Sequence, residues 1–216
     1  MQVLIIGAHG QIGQILTDKM KDAADFTPVA LIRKTEQEQS FRDKGVEARV
    51  ASLEDSVDDL AARMQGIDAV VFTAGSGGST GADKTLTIDL DGAVKAMEAA
   101  AQSGIKRFVM VSAIGSGDRG NWTNPDMKPY YVAKHYADRM LQESDLDYTI
   151  LRPGMLKNED GTGNINVSSP KESKSVPRPD VAEVILAVLR DKTTIGKVIP
   201  FNRGDVPIAD AVGSLE

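Results

Sequence analysis

Val3-Leu4-Ile5-Ile6-Gly7-Ala8-His9-Gly10-Gln11-Ile12-Gly13 opens the chain, and the rest is read outward from it. The apolar run before Gly7, largely β-branched and cut off by glycine, reads as a short strand buried on both faces. The apolar period then changes: Ile12, Ile15, Leu16 and Met20 recur at helical spacing, which predicts a helix over residues 11–21. Between strand and helix lies Gly-x-x-Gly-x-x-Gly. Gly7 permits a tight turn, Gly10 lets a backbone approach a pyrophosphate, and Gly13 lets the helix pack close to the strand. The helix start adds free N–H groups and the positive end of a dipole. Gly7, His9, Gly10, Gln11, Ile12 and Gly13 are therefore the expected phosphate cradle of a dinucleotide. Three glycines alone are a weak signal, and a plain connecting turn is the alternative. The strand before, the helix after and a second strand beginning about 20 residues on supply the context.

Further strands are predicted over residues 28–32, 48–51, 69–73, 107–112, 148–151 and 197–201. Helices are predicted over residues 36–44, from Leu53 to Met64, and over residues 86–103, 129–144 and 179–191. Residues 74–81, 115–129 and 161–177 are rich in turn formers and read as loops. Strands alternating with helices imply an α/β fold, a Rossmann-type doubly wound parallel sheet with helices on both faces. A single domain over residues 1–216 is expected, with residues 154–216 forming a small C-terminal cap on the substrate side. Ligands in such sheets bind at the carboxyl edge, near the strand-order switch.

The end of the second strand separates two cofactors. An acidic residue there would bond a ribose 2′-hydroxyl and repel a 2′-phosphate. This chain has Ile32-Arg33-Lys34 instead. A guanidinium holds a phosphate in bidentate fashion and an ammonium adds charge. NADP is therefore the expected cofactor, with Arg33 as the main 2′-phosphate ligand, Lys34 beside it and NAD as the other possibility. The competing reading is a solvated basic pair neutralised by Glu36 and Glu38.

Tyr130 and Lys134 stand four residues apart on a predicted helix and so share a face. A lysine there lowers a tyrosine's pKa and can donate to a cofactor ribose. The tyrosine then exchanges a proton with a carbonyl or alcohol. The bland alternative is an amphipathic helix with a half-buried tyrosine and a solvated lysine. Ser112, ending the fifth strand, either orients a substrate carbonyl or bonds to nearby backbone. The loop with Trp122 and Met127 either walls the pocket or is a surface loop with one tucked-in aromatic.

Composition excludes several classes. A formal net charge of -6 disfavours a nucleic-acid partner. With no cysteine there is no disulfide, thiolate metal site or cysteine nucleophile, and His9 and His135 have no metal-ligand spacing, so no metal is expected. No apolar run approaches the ~20 residues that span a bilayer. No leader precedes the first strand, so a cytoplasmic protein with a small-molecule substrate and no membrane partner is expected. The alanine-rich helix over residues 86–103 packs in the core or against another subunit, in a monomer or small homo-oligomer.

As a set, Gly7-Ala8-x-Gly10-x-x-Gly13, residues 68–75 (DAVVFTAG), Asp89-x-x-Gly92, residues 106–112 (KRFVMVS), Tyr130-x-x-x-Lys134 and residues 148–154 (YTILRPG) resemble the short-chain dehydrogenase/reductase superfamily. The likeness is to its atypical branch, with NmrA-like and NAD(P)H-binding reductase members. It implies that Thr73, Ala74 and Gly75 lie along the cofactor, that Leu53 touches the adenine, and that Pro153, Gly154 and Met155 pass near the nicotinamide. It implies Tyr130 and Lys134 as the catalytic pair, with the assisting hydroxyl aligned either with Ser112 or with Ala113, which has none. Two positions depart from the pattern. Ala51-Ser52 stands where relatives often have Gly-Asp, and Ala113 stands where a second hydroxyl is common. The expected function is hydride transfer between nicotinamide and a small carbonyl, enone or quinone-like substrate. The alternatives are a non-catalytic NADP(H)-sensing protein, motivated by Ala113, and an epimerase or dehydratase acting on a sugar nucleotide. The stretch after Gly154 is short for a nucleotide-sugar subdomain.

Overall fold

The structure, a computed structural model, describes residues 1–78, 80–167 and 174–215. In chain order it runs β1 (Gln2–Ile6), α1 (Gln11–Asp22), β2 (Thr27–Ile32), α2 (Glu38–Arg42), β3 (Glu47–Val50), α3 (Val57–Ala62), β4 (Ala69–Phe72) and α4 (Ala82–Lys84). A π-helical segment (Thr85–Asp91) then leads into α5 (Gly92–Gln102). There follow β5 (Arg107–Val111), α6 (Lys128–Gln142), β6 (Asp147–Pro153), β7 (Met155–Lys157), β8 (Asn164–Val167), β9 (Ser175–Pro177), α7 (Arg178–Arg190), β10 (Lys197–Arg203), β11 (Val206–Pro207) and α8 (Ile208–Gly213).

The main sheet has strand order β11-β8-β10-β6-β5-β4-β1-β2-β3. From β3 to β10 all pairings are parallel. The chain steps outward from β1 to β2 and β3, then returns to place β4 on the other side of β1. A crevice therefore opens between the carboxyl ends of β1 and β4. Two hydrophobic clusters cover the two faces. Val3, Ile5, Leu16, Val184 and Ile185 pack on one, and Leu4, Ile6, Leu60, Phe72, Ala96 and Phe108 on the other. The alternation within β1 shows why so short a run is apolar throughout: successive side chains enter opposite cores.

α1 is amphipathic, burying Ile12, Leu16 and Met20, and carries Lys19 and Lys21 in its last turn. α6 has Pro129 in its first turn and buries Ala133, Lys134, Ala137, Asp138 and Leu141. The long helix expected over residues 86–103 is present but begins earlier and passes through the π-helical segment.

Two expectations need correction. The helix expected from Leu53 begins at Val57, capped by Ser56, whose hydroxyl accepts from the Asp59 N–H at 3.1 Å. Asp55 draws the preceding residues into a turn, its carboxylate accepting the Ser52 N–H at 2.7 Å. The loop expected over residues 161–177 contains β8 and β9. β8 pairs antiparallel with β10 and β11, so the sheet is mostly and not wholly parallel. The polar sequence Asn164-Ile165-Asn166-Val167 buries only Ile165, so its strand rests on backbone pairing more than on a hydrophobic pattern. β7 and β9 form a separate two-stranded ribbon beside Gly154. Residues 168–173 of that expected loop and of the expected cap, and Ser79 of the 74–81 loop, lie outside the described residues.

Among the described residues no helix is long and apolar enough to cross a membrane, and no group of acidic and histidine side chains could hold a metal ion.

Candidate active site

At the switch point the ends of four neighbouring strands line a cleft of about 420 Å³. Ile6, Gly7, His9 and Gly10 come from the β1 end and Ile32 and Arg33 from β2. Ser52 and Leu53 come from β3, and Thr73, Ala74, Gly75 and Ser76 from β4. Gly7 has φ +89°, and a side chain there would stand 2.7 Å from the Ala74 nitrogen. The β1 and β4 loops are thus closer than any other residue would permit. Thr73 reinforces the approach by donating its hydroxyl to the Ile6 carbonyl at 3.1 Å. Gly13 faces inward: a Cβ would overlap the Gly7 carbonyl and lie 2.7 Å from Ala8 Cα. Gly10 is the cap of α1, in extended backbone without a side-chain bond, so the first N–H groups of the helix remain open.

Arg33 stands on the cleft wall, exposed, with no ion pair or hydrogen bond to its guanidinium among the described residues. Glu38 pairs instead with Arg42 at 3.2 Å, and Glu36 makes no described ion pair, so neither neutralises Arg33. Lys34 is exposed but lies off the cleft, its backbone N–H held by the Gln37 side chain at 3.3 Å. Gln11, Ile12 and Gly13 sit on α1 behind the loop. At the opposite mouth Lys84 and Glu54 form an ion pair of 2.7 Å between two lining residues.

Tyr130 and Lys134 form a second group beside this cleft, and Ser112 follows the carbonyl that Lys134 meets. Lys134 is buried, and its Nζ donates to the Val111 carbonyl at 3.2 Å, one residue before Ser112. It lies 5.8 Å from the centre of the Tyr130 ring and 3.7 Å from Asp89 Oδ1. Asp89 joins the two groups, because its other oxygen accepts the N–H of Ser76 on the cleft wall at 2.9 Å. It sits in the π-helical segment, a geometry frequent at functional sites.

The electrostatics differ from the expectation at Tyr130. Its hydroxyl has no partner among the described residues, and its pKa is pushed up. Burial is the main cause, followed by the negative charge of Asp89. Lys134 does not offset this, since its ammonium is committed to Asp89 and to a carbonyl. Tyr130 therefore holds its proton firmly.

Ser112 bonds to a side chain. Its Oγ lies 3.3 Å from Ser116 Oγ, which donates to Asp138 Oδ2 at 3.1 Å. Arg152 reaches the same oxygen through Nε at 2.9 Å and a terminal nitrogen at 2.8 Å. Burial raises the Asp138 pKa, opposed by Arg152 and by the Ser112 and Ser116 hydroxyls. Asp138 lies one helical turn beyond Lys134, a spacing visible in the sequence. Asp89 and Arg152 lay within the quoted motifs without a role. Ser116 had no sequence signal.

Pro153, Gly154 and Met155 lie off the cleft, at the β6–β7 junction. Pro153 accepts the Ile114 N–H at 2.9 Å, Gly154 packs against the Asn202 side chain and the Lys174 carbonyl, and Met155 is 61% exposed. Trp122 is the tucked-in aromatic: its Nε1 donates to the Gly115 carbonyl at 3.1 Å and its ring meets His135 edge-on at 5.3 Å.

The model of the NAD(P)H-binding family matches residues 7–192. The chain is 52% identical to YhfK of Bacillus subtilis, which is named an uncharacterized sugar epimerase, over the whole of both chains. A candidate NAD-dependent epimerase/dehydratase of Bacillus halodurans superposes with TM-score 0.93 at 44% identity, covering all of both chains. The oxidoreductase YlbE of Lactococcus lactis superposes with TM-score 0.90 at 34% identity, covering all of this chain and 96% of that one.

Proposed function

The chain belongs to the NAD(P)H-binding family, and on that premise we propose that it is an NADP-dependent oxidoreductase that reduces a small carbonyl, enone or quinone-like compound. The observation that carries the cofactor choice is Arg33, a cation on the wall of the cleft without an ionic partner among the described residues. The cradle fits a dinucleotide. Gly7, His9 and Gly10 would face the pyrophosphate with the open N–H groups of Gln11, Ile12 and Gly13 behind them. Arg33, with Lys34 nearby, would hold the 2′-phosphate. Leu53 would meet the adenine, and Thr73, Ala74 and Gly75 would run beside the dinucleotide toward Pro153, Gly154 and Met155.

When bound, the reduced cofactor supplies the hydride. The chain's own residues supply the proton and the geometry. Tyr130, kept neutral, donates from its hydroxyl to the substrate oxygen as negative charge develops there. Lys134, held between Asp89 and the Val111 carbonyl, keeps a donor for the ribose. Ser112 completes the substrate side, and the β7–β9 ribbon provides a small cap, the rest of the described residues after Gly154 being mostly part of the main sheet and its helices.

The test is a calorimetric titration with NADPH, NADH, NADP and NAD, followed by a turnover screen on carbonyls and quinones. Absence of binding by all four overturns the reading. Full turnover by Tyr130→Phe would remove Tyr130 from the chemistry. The names of the Bacillus relatives favour a second reading, a sugar epimerase. That reading predicts cofactor retained through purification and interconversion of a sugar nucleotide without net oxidation.

A further inference from the structure

Behind Ser112 runs a buried polar chain that the reaction as proposed leaves unused. Ser112, Ser116 and Asp138 are at most 3% exposed. Ser116 donates to Asp138 Oδ2, which also takes both contacts from Arg152. Asp138 Oδ1 is fully buried without a hydrogen-bond partner among the described residues. An unfilled carboxylate oxygen in the interior is costly and attracts any donor within reach.

Proton counting decides the direction of this chain. A hydroxyl has one proton to donate, and an ionised carboxylate only accepts. Ser116 gives its proton to Asp138, so toward Ser112 it can only accept. The Ser112–Ser116 contact of 3.3 Å is then made with the Ser112 proton. The one alternative inward target for that proton is the same carboxylate. Either way the Ser112 oxygen turns its lone pairs, not its proton, toward the site.

We propose that Asp138, anchored by Arg152, is a positioning residue that draws the Ser112 proton inward through Ser116, so that Ser112 offers the substrate a hydrogen-bond acceptor and not a donor. This rests on the reading above that Ser112 faces the substrate, and it narrows the substrate class. The atom meeting Ser112 carries its own proton, as in a carbonyl compound with a hydroxyl or amide N–H beside the reducible group. A bare carbonyl oxygen receives its proton from Tyr130 alone.

Neutron diffraction from deuterium-exchanged crystals of the full chain at neutral pH tests this without a cofactor. The expected map shows the Ser112 deuterium directed at Ser116 or Asp138, the Ser116 deuterium at Asp138 Oδ2, and a bare carboxylate. A Ser112 deuterium pointing away from the relay, or one bound to Asp138, overturns the proposal. Asp138→Ala removes the acceptor of the Ser116 proton, frees Ser116 to donate to Ser112, and should turn the Ser112 deuterium outward. An unchanged Ser112 orientation would leave Asp138 a purely structural role and would also overturn the proposal. If that variant does not fold, the wild-type map decides alone. Failure of all four dinucleotides to bind would remove the oxidoreductase reading and leave the relay standing, whereas an outward Ser112 deuterium would do the reverse.

Discussion

Lys134 Nζ stands 3.7 Å from Asp89 Oδ1, and both side chains are almost wholly buried, at 5% and 2% exposure. The pair brings together α6 and the π-helical segment, and through Asp89 it reaches the Ser76 backbone on the cofactor cleft. A buried charge is tolerated only with its partner. Asp89→Asn should therefore cost about 3 kcal/mol or more of stability in chemical denaturation. It should also remove a negative charge that holds Tyr130 protonated, so the Tyr130 phenolate appears at lower pH. Ultraviolet titration against a Tyr130→Phe reference isolates that one tyrosine. An unmoved limb would mean that Asp89 does not act on it.

Tyr130 also makes stability depend on alkaline pH. Its pKa is raised above the ordinary tyrosine value of 10.0 by burial first and by Asp89 next. Below 10 both folded and unfolded chains keep the proton. Above it the unfolded chain loses the proton while the folded chain retains it. Stability is therefore present in full below the ordinary tyrosine value and falls as pH rises toward the folded value. Tyr130→Phe should flatten this decline in denaturation curves recorded across the alkaline range. A decline of equal slope in the variant would assign it to other groups.

Arg33→Ala should weaken NADPH much more than NADH. A charge-assisted hydrogen bond contributes about 1.5–3 kcal/mol, or roughly ten- to a hundredfold in affinity. Equal losses for both cofactors in a calorimetric titration would place Arg33 away from the 2′-phosphate.

Gly10 and Gly13 should separate binding from folding. Gly10 has φ -70°, and a Cβ there meets nothing closer than the Gly7 carbonyl at 3.1 Å. Gly10→Ala should destabilise less than Gly13→Ala, because only the Gly7 carbonyl must yield slightly, yet lose cofactor affinity by roughly tenfold or more, equivalent to about 1.4 kcal/mol. Gly13→Ala forces a methyl group into the β1 loop and should destabilise the apo protein by about 1–3 kcal/mol. Thermal unfolding with and without NADPH checks both, and a normal midpoint for Gly13→Ala would contradict the tight seating of α1.

The glycine loop, the alternation of strands and helices, and the helical face shared by Tyr130 and Lys134 were legible in the sequence, because each depends on residues near one another along the chain. The edge of the sheet was not legible: β8 has a polar sequence and gains its place by backbone bonds to β10. Nor was the ionic state of the site. Spacing alone suggested that Lys134 would lower the Tyr130 pKa. The packing of α6 against the π-helical segment gives that ammonium to Asp89 instead, and burial acts in the opposite direction. Ser112 reads in the sequence either as a carbonyl orienter or as a serine bonding to backbone, and only the fold brings Ser116, Asp138 and Arg152 together behind it. Short-range pattern thus determined the fold and the placing of the cofactor loop. Tertiary structure decided which charges neutralise one another and which hydroxyls and carboxylates meet, because those depend on through-space distance and on desolvation, and neither is set by spacing along the chain.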